Sequence, residues 1–168
     1  MGGGGGRPLI RQGDLDRLSQ TAIDALRQAS PPSRRSVFIS FATEDLDEVN
    51  LLRGQAKNEG SALDFIDRSV QVPFNSENAE YIKRRIRERI RQTSVTVVYI
   101  SQHTHNSDWV DWEIREARRQ GKGVIGVYAG DTAPGPIPRA LDEMSAQIVP
   151  WKHDELSGAI ERAASTRE

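Results

Sequence analysis

The chain has 168 residues, a formal net charge of −1 and no cysteine. That length suits one domain with a short extension, and the lack of cysteine excludes disulfides, thiol nucleophiles and cysteine-ligated zinc, which fits a reducing cytoplasm. The near-balanced charge gives no global pull toward nucleic acid or an anionic membrane, and no apolar run approaches the ~18 residues that span a bilayer.

The chain opens on "MGGGGGRPLI", which lacks the apolar segment of a secretory signal and has Gly6 where N-myristoylation requires Ser or Thr. A flexible tail is expected there. In "GDLDRLSQTAIDALRQAS", Leu15, Leu18, Ala22, Ala25 or Leu26, and Ala29 recur at helical spacing, and "SPPS" at 30–33 ends that helix. Residues 1–34 therefore read as a tail, one amphipathic helix and a proline linker, and 35–168 as the main domain.

From Ser36 onward strands and helices alternate. "SVFISF" (36–41) is β-branched and aromatic, and a helix with Val49, Leu52 and Ala56 on one face follows it toward a stop at Gly60. "ALDFIDRSV" (62–70) is a second predicted strand, and "QVPFNSEN" (71–78) a loop. Ile82, Ile86 and Ile90 mark a helix otherwise crowded with charge. "VTVVYIS" (95–101) is a central-type strand, followed by a loop and a helix over "SDWVDWEIREARRQ" that ends near Gly121. "GVIGVYA" (123–129) and "AQIVPW" (146–151) are the last strands, with a short helical piece between them. A closing helix has Asp154 as its expected N-cap and Leu156, Ile160 and Ala163 facing inward. Such alternation requires crossover connections, and so predicts an α/β fold: a mostly parallel sheet with helices on both faces. Ligands of such sheets bind beyond the carboxyl ends of the strands.

Several motifs fail on context. "GKGVIG" (121–126) fits G-x-G-x-x-G, but its glycines leave a helix and enter a strand, the reverse of what a pyrophosphate site needs. No Walker motif occurs. A phospho-receiver would need an aspartate where "VTVVYIS" ends in Ser101 and Gln102. His103 and His105 form a pair without a third firm ligand, so no metal site is expected. "KRRIRERIR" (83–91) sets six basic residues against one acid; without interleaved aromatics it reads as a solvated or protein-binding face, with Arg87, Arg91 and Glu88 pairing along the helix.

"HNSDWVDWEI" (105–114) holds two of the three tryptophans. With Asn106 or Ser107 at the N-cap, Asp108 and Asp111 occupy the first turn and Val110, Ile114 and Ala117 the core face. Trp109 and Glu113 are then i,i+4 neighbours on one flank, with Glu116 beyond; Asp111, Arg115 and Arg118 form the other flank, and Trp112 points closer to solvent. An aromatic plane beside a carboxylate suits a ligand with a flat cationic ring joined to a sugar. On spacing alone, a capped helix with an edge tryptophan and a solvated glutamate accounts for the same residues.

"SVFISFATED", and "VTVVYIS" followed by "SDWVDWEI" with its W-x-x-x-E-[LI] pattern, resemble the TIR domain. "FIDRSV", "THNSDWVDWEI" and "GKGVIGVY" look more particularly like the TIR-like proteins of bacterial Thoeris anti-phage systems. The resemblance spans Ser36 to about Ala164 and implies a flavodoxin-like fold of five strands. It further implies an NAD+-cleaving enzyme that takes NAD+ as substrate and needs no other cofactor, with Glu113 at the nicotinamide ribose and Trp109 as the preceding aromatic. Attack by water gives ADP-ribose; attack from within the molecule gives a cyclic isomer, the signal-making outcome of Thoeris-type proteins, read by a downstream effector. Phe41, Thr43, Glu44 and Asp45 in the first-strand loop, Phe74 and Asn75 in the loop after the second strand, and His103 and His105 are further candidates by position. "FATED" departs from the Arg-Gly type of many TIR domains. Self-association through TIR surfaces is also implied. The alternative is a non-catalytic adaptor working through 77–91 and the N-terminal helix; a nucleoside-processing transferase is a third reading.

Overall fold

The computed structural model describes residues 12–29, 35–58 and 78–166. The chain divides into two compact units, Met1–Ser33 and Arg34–Glu168. In the first, α1 (Gln12–Ala29) forms over the predicted amphipathic stretch and leaves Leu15, Leu18 and Ile23 exposed.

Among the described residues the second unit holds four parallel strands in the order β1 (Val37–Ser40), β2 (Val95–Tyr99), β3 (Gly123–Tyr128) and β4 (Gln147–Pro150). Their register pairs Val37 with Val95, Val95 with Gly123, and Ile125 with Gln147. Each matches a predicted strand, shortened by one or two residues at an end. The remaining predicted strand, 62–70, lies outside the described residues, as do the loop after it and the expected helix stop at Gly60. The helices are α2 (Leu46–Asn58), α3 (Ala79–Arg91), α4 (Asp108–Arg119), α5 (Arg139–Glu143) and α6 (His153–Ser165).

Side chains along a strand alternate between the two faces of the sheet, and the two faces bury different helices. Val37, Ile39, Val95, Val97, Ile125 and Val127 pack with Val49 of α2 and with Leu156, Ala159 and Ile160 of α6. On the other face, Phe38 meets Ile82, Ile86 and Ile90 of α3 and Ala117 of α4. Val98 and Ile100 lie there with Val110, Ile114 and Leu141. The period-four isoleucines of α3 are thus its only broad apolar stripe, and each buried side chain contributes roughly 1.5–3 kcal/mol. Phe38 and Ser40 share parity, so Ser40 also faces α4.

Helix ends explain the rejected glycine motif. Gly121 has φ 67°, a left-handed value that suits glycine. Its N–H donates to the Arg118 carbonyl at 2.9 Å and that of Lys122 to Ala117 at 3.0 Å, the two bonds of a Schellman cap. Asp154, expected as the cap of the last helix, lies instead inside the first turn of α6, where Lys152 is the N-cap without a side-chain bond. Its carboxylate still favours the positive end of the helix dipole.

Gly123 carries a different constraint. A Cβ placed there would lie 2.4 Å from the backbone oxygen of Ala163, because α6 crosses directly over the start of β3. Backbone cannot swing aside as a side-chain tip can. Gly123→Ala will therefore lower stability by roughly 2–3 kcal/mol, read as a fall in the urea midpoint at unchanged slope.

Candidate active site

The helix that carries Trp109 and Glu113 begins where its cap predicts. Ser107 is extended, and its Oγ accepts from the Val110 N–H at 3.3 Å. Asp108 and Asp111 fill the first turn. Ser107→Ala will cost about 1 kcal/mol of stability by leaving that N–H unpaired, measurable as a shift in thermal midpoint.

α4 has a wider buried face than its apolar residues alone dictate. Val110, Ile114 and Ala117 are fully buried, and Glu113 is 8 % exposed beside them. An isolated carboxylate at such a place would be costly. Here the hydroxyl of Ser40, at the carboxyl end of β1, donates to Glu113 Oε2. Burial pushes the Glu113 carboxyl up to about 8, and the Ser40 bond pulls in the opposite direction. Among the described residues the site thus pairs a near-neutral acid, poised to switch between protonated and ionised forms, with one hydroxyl that favours the ionised form.

The tryptophans depart from the expected division. Trp109 is half-buried against the cluster of Phe38, Ile82 and Ile86. Trp112, expected nearer solvent, is half-buried too: its ring meets Trp109 edge to face, with centroids 5.9 Å apart and planes at 82°. Lys83 and Arg87 of α3 lie over the Trp112 ring at 5.6 and 5.4 Å. The indole is drawn in by α3 cations that a view of α4 alone leaves out. Glu116, expected as an outlying neighbour, is also buried, and it bonds to Arg119 at 2.6 Å and Gln120 at 2.7 Å with Arg87 at 3.8 Å. Burial would raise its carboxyl, but the Arg119 and Gln120 bonds and the Arg119 and Arg87 charges outweigh it and hold it below the ordinary range. On the opposite flank Arg115 pairs with Asp111 at 2.8 Å, as expected, and with Glu143 of α5 at 3.0 Å.

The first-strand loop splits its candidates. Phe41 is buried in the core under α2 and α6, with Arg53 over its ring at 5.3 Å. Its parity with Ile39 directs it to the face opposite Glu113. Thr43 and Glu44 are exposed on a short 3-10 turn. Asp45 is buried and accepts from the Ser101 hydroxyl at 2.5 Å. Burial raises its carboxyl above the ordinary value, against that bond. Ser101 also accepts from the His103 N–H at 2.9 Å, and its own N–H donates to Thr104 Oγ1 at 2.8 Å. Glu44, Asp45, Glu48, Ser101, His103 and Thr132 border a cleft of about 470 Å³ beyond the strand ends. His105 is half-buried, its Nδ1 without a hydrogen-bond partner among the described residues. Phe74 and Asn75 lie outside the described residues. Ser40, Ser101, Glu48 and Thr132 are polar side chains that sequence reasoning leaves out of its candidates. A lone serine on the Phe38 face of an apolar strand was the available signal.

Among the described residues, no three His, Cys, Asp or Glu side chains converge as metal ligands would, and no helix is long and apolar enough to cross a membrane.

The family model for the TIR-like domain of the Thoeris protein ThsB matches residues 38–133, more than half of the chain. The chain belongs to this ThsB TIR-like family. The matched stretch runs from β1 through the loop after β3, so the TIR-like domain's Ser40, Trp109 and Glu113 all fall within it. The protein named "Putative cyclic ADP-D-ribose synthase ThsB1" from Bacillus cereus (strain MSX-D12) is 32 % identical over 98 residues, 56 % of this chain and 51 % of its own length. The TIR-like chain therefore spans about half the length of that curated relative. Among solved structures, a TIR domain of a Toll-related receptor from Hydra magnipapillata aligns with a TM-score of 0.46 at 18 % identity, over 75 % of this chain and 91 % of its own. A CMP N-glycosidase from Clostridium botulinum aligns with a TM-score of 0.43 at 15 % identity, over 76 % and 99 %.

Proposed function

We propose that this TIR-like domain cleaves the nicotinamide–ribose bond of NAD+, with Glu113 as its essential carboxylate, and closes the remaining ADP-ribosyl group into a cyclic signal. The observation that carries this reading is the burial of Glu113 against Ser40 at the carboxyl end of the sheet, one helical turn from Trp109. Family membership and the name of the Bacillus cereus relative agree with it.

In the reaction the C1′–N bond breaks and its electron pair leaves with neutral nicotinamide. Positive charge is left on the ribose, shared between C1′ and the ring oxygen. A carboxylate held in a poorly hydrated place stabilises that charge more than water does, because little screening or reorganisation is needed. A nucleophile of the same ADP-ribosyl group then attacks C1′ and loses its proton, giving a cyclic isomer; water attacking instead gives linear ADP-ribose. The buried, apolar surroundings of Glu113 favour the first by keeping water out.

The test is mass spectrometry of the products formed from NAD+ by the purified protein. Nicotinamide with a product one water lighter than ADP-ribose supports the reading. Nicotinamide with ADP-ribose alone overturns the cyclase part. Intact NAD+, with protein drawn from cells in which its defence is triggered, overturns the whole.

A further inference from the structure

The basic run of α3 forms more than a solvated face. Arg84, Arg87 and Arg91 follow one another at i, i+3 and i+7, so they share one side of the helix. Together with Arg119, Gln120 and Lys122 they enclose a groove of about 480 Å³ between α3 and the end of α4. Among the described residues, Glu88, which lines the groove, and Glu116, which pairs with Arg87 and Arg119, oppose these five cations. The negative ends of the helix dipoles account for Arg91, Arg119 and Lys122, which lie at or just past helix C-termini. They do not account for Arg84 and Arg87, which sit in the middle of α3. Arg84 makes no ion pair among the described residues.

The groove has a second polar feature. The Gln120 amide nitrogen donates to the Arg87 carbonyl at 3.2 Å and to Glu116 Oε1 at 2.7 Å. Its carbonyl oxygen is buried and has no hydrogen-bond donor among the described residues. An unpaired buried acceptor is costly, and a hydroxyl or amino group of a ligand would satisfy it. Forked guanidinium groups match the oxygens of a phosphate, and the volume is that of a small-molecule site rather than of a surface that tracks a duplex.

We infer that the α3–α4 groove is a second ligand site, which takes a nucleotide: phosphates on the arginines and a ribose or base donor on Gln120. The site is separate from the buried Glu113–Ser40 pair and goes beyond the glycosidic reading. Its occupancy will be felt on α4, because Arg87 also stacks on Trp112 and touches Glu116, one turn beyond Glu113.

Titration calorimetry on the full chain tests this, with ADP and inorganic tripolyphosphate as probes and with tryptophan fluorescence read in parallel. ADP will bind saturably and more tightly than tripolyphosphate, with a change in fluorescence. Arg84→Glu, an exposed position whose variant keeps its melting curve, will weaken both probes by about tenfold or more. Gln120→Leu will weaken ADP alone, the unchanged tripolyphosphate binding showing that the groove is still formed. Absence of saturable binding, or affinity that survives Arg84→Glu, overturns the site; tripolyphosphate binding as tightly as ADP overturns its assignment to a nucleotide. Because the readout is heat and not turnover, failure here leaves the NAD+-cleavage reading standing, and the reverse holds.

Discussion

Glu113→Gln will lower nicotinamide release from NAD+ by roughly 10²–10³-fold, the range seen when one preorganised charge-stabilising group is removed from a transition state. The same substitution will make the protein more stable in alkali. Glutamine fills the same volume and still accepts from Ser40, but it carries no charge to bury. The sign follows from linkage. In the fold the Glu113 carboxyl titrates at about 8, against an ordinary value of 4.5. The folded state therefore holds the proton more tightly than the unfolded one, and stability is lost as pH rises from 4.5 through 8. The melting temperatures of wild type and variant will lie close together near pH 4.5 and diverge as pH rises. At pH 9 the variant will lead by an amount on the order of a few kcal/mol. Thermal scans across that range, run beside chromatography of released nicotinamide, check both halves. A variant that releases nicotinamide at the wild-type rate removes Glu113 from the chemistry; one that gains no stability in alkali contradicts its burial as a costly charge.

Ser40→Ala carries the second large effect, and it is read on a pH axis. The Ser40 hydroxyl favours the ionised carboxylate, so its loss moves the Glu113 titration further up. A hydrogen bond to a charged group is worth enough to shift that titration by about 1–2 pH units. In the wild type, kcat/KM for NAD+ will rise with pH along a limb centred near 8. In Ser40→Ala the limb moves to higher pH, so activity at pH 7 falls about 10–100-fold and recovers partly in alkali. Ser40→Cys, with its weaker donor, will give an intermediate shift. The cationic nicotinamide ring brings an opposite charge to the carboxylate, so the limb in kcat will lie below that in kcat/KM. A uniform loss of activity at every pH would show that Ser40 acts only on folding.

These two residues show where sequence legibility ended. The alternation of Val37, Phe38, Ile39 and Ser40 was open to reading, and it already directs Ser40 to the Phe38 face and Phe41 to the opposite one. Phe41 is a first-strand loop candidate by position, but that parity turns it away from Glu113, and the fold buries it under α2 and α6. The Ser107 cap, the first-turn aspartates and the Val110–Ile114–Ala117 face were equally local, and each formed as its spacing dictates. Trp112 and Glu116 were different. Their burial depends on Lys83, Arg87 and Arg119 closing over them, and a single helix in isolation leaves both on a wet flank.

The sequence by itself determined the periodicities: strands of period two, the isoleucine seam of α3, the capped start of α4, and the order of elements that makes the sheet parallel. Those features follow from backbone geometry acting over one or two turns of chain. Only the tertiary structure decided that Ser40 meets Glu113 across 73 residues, that Asp45 is joined to Ser101, and that the arginines of α3 and α4 enclose one groove. Such meetings depend on which strands are neighbours and on their register. Charge and hydrogen bonding then act over only a few ångströms, so a carboxylate becomes costly, poised or neutral according to partners far away in the chain.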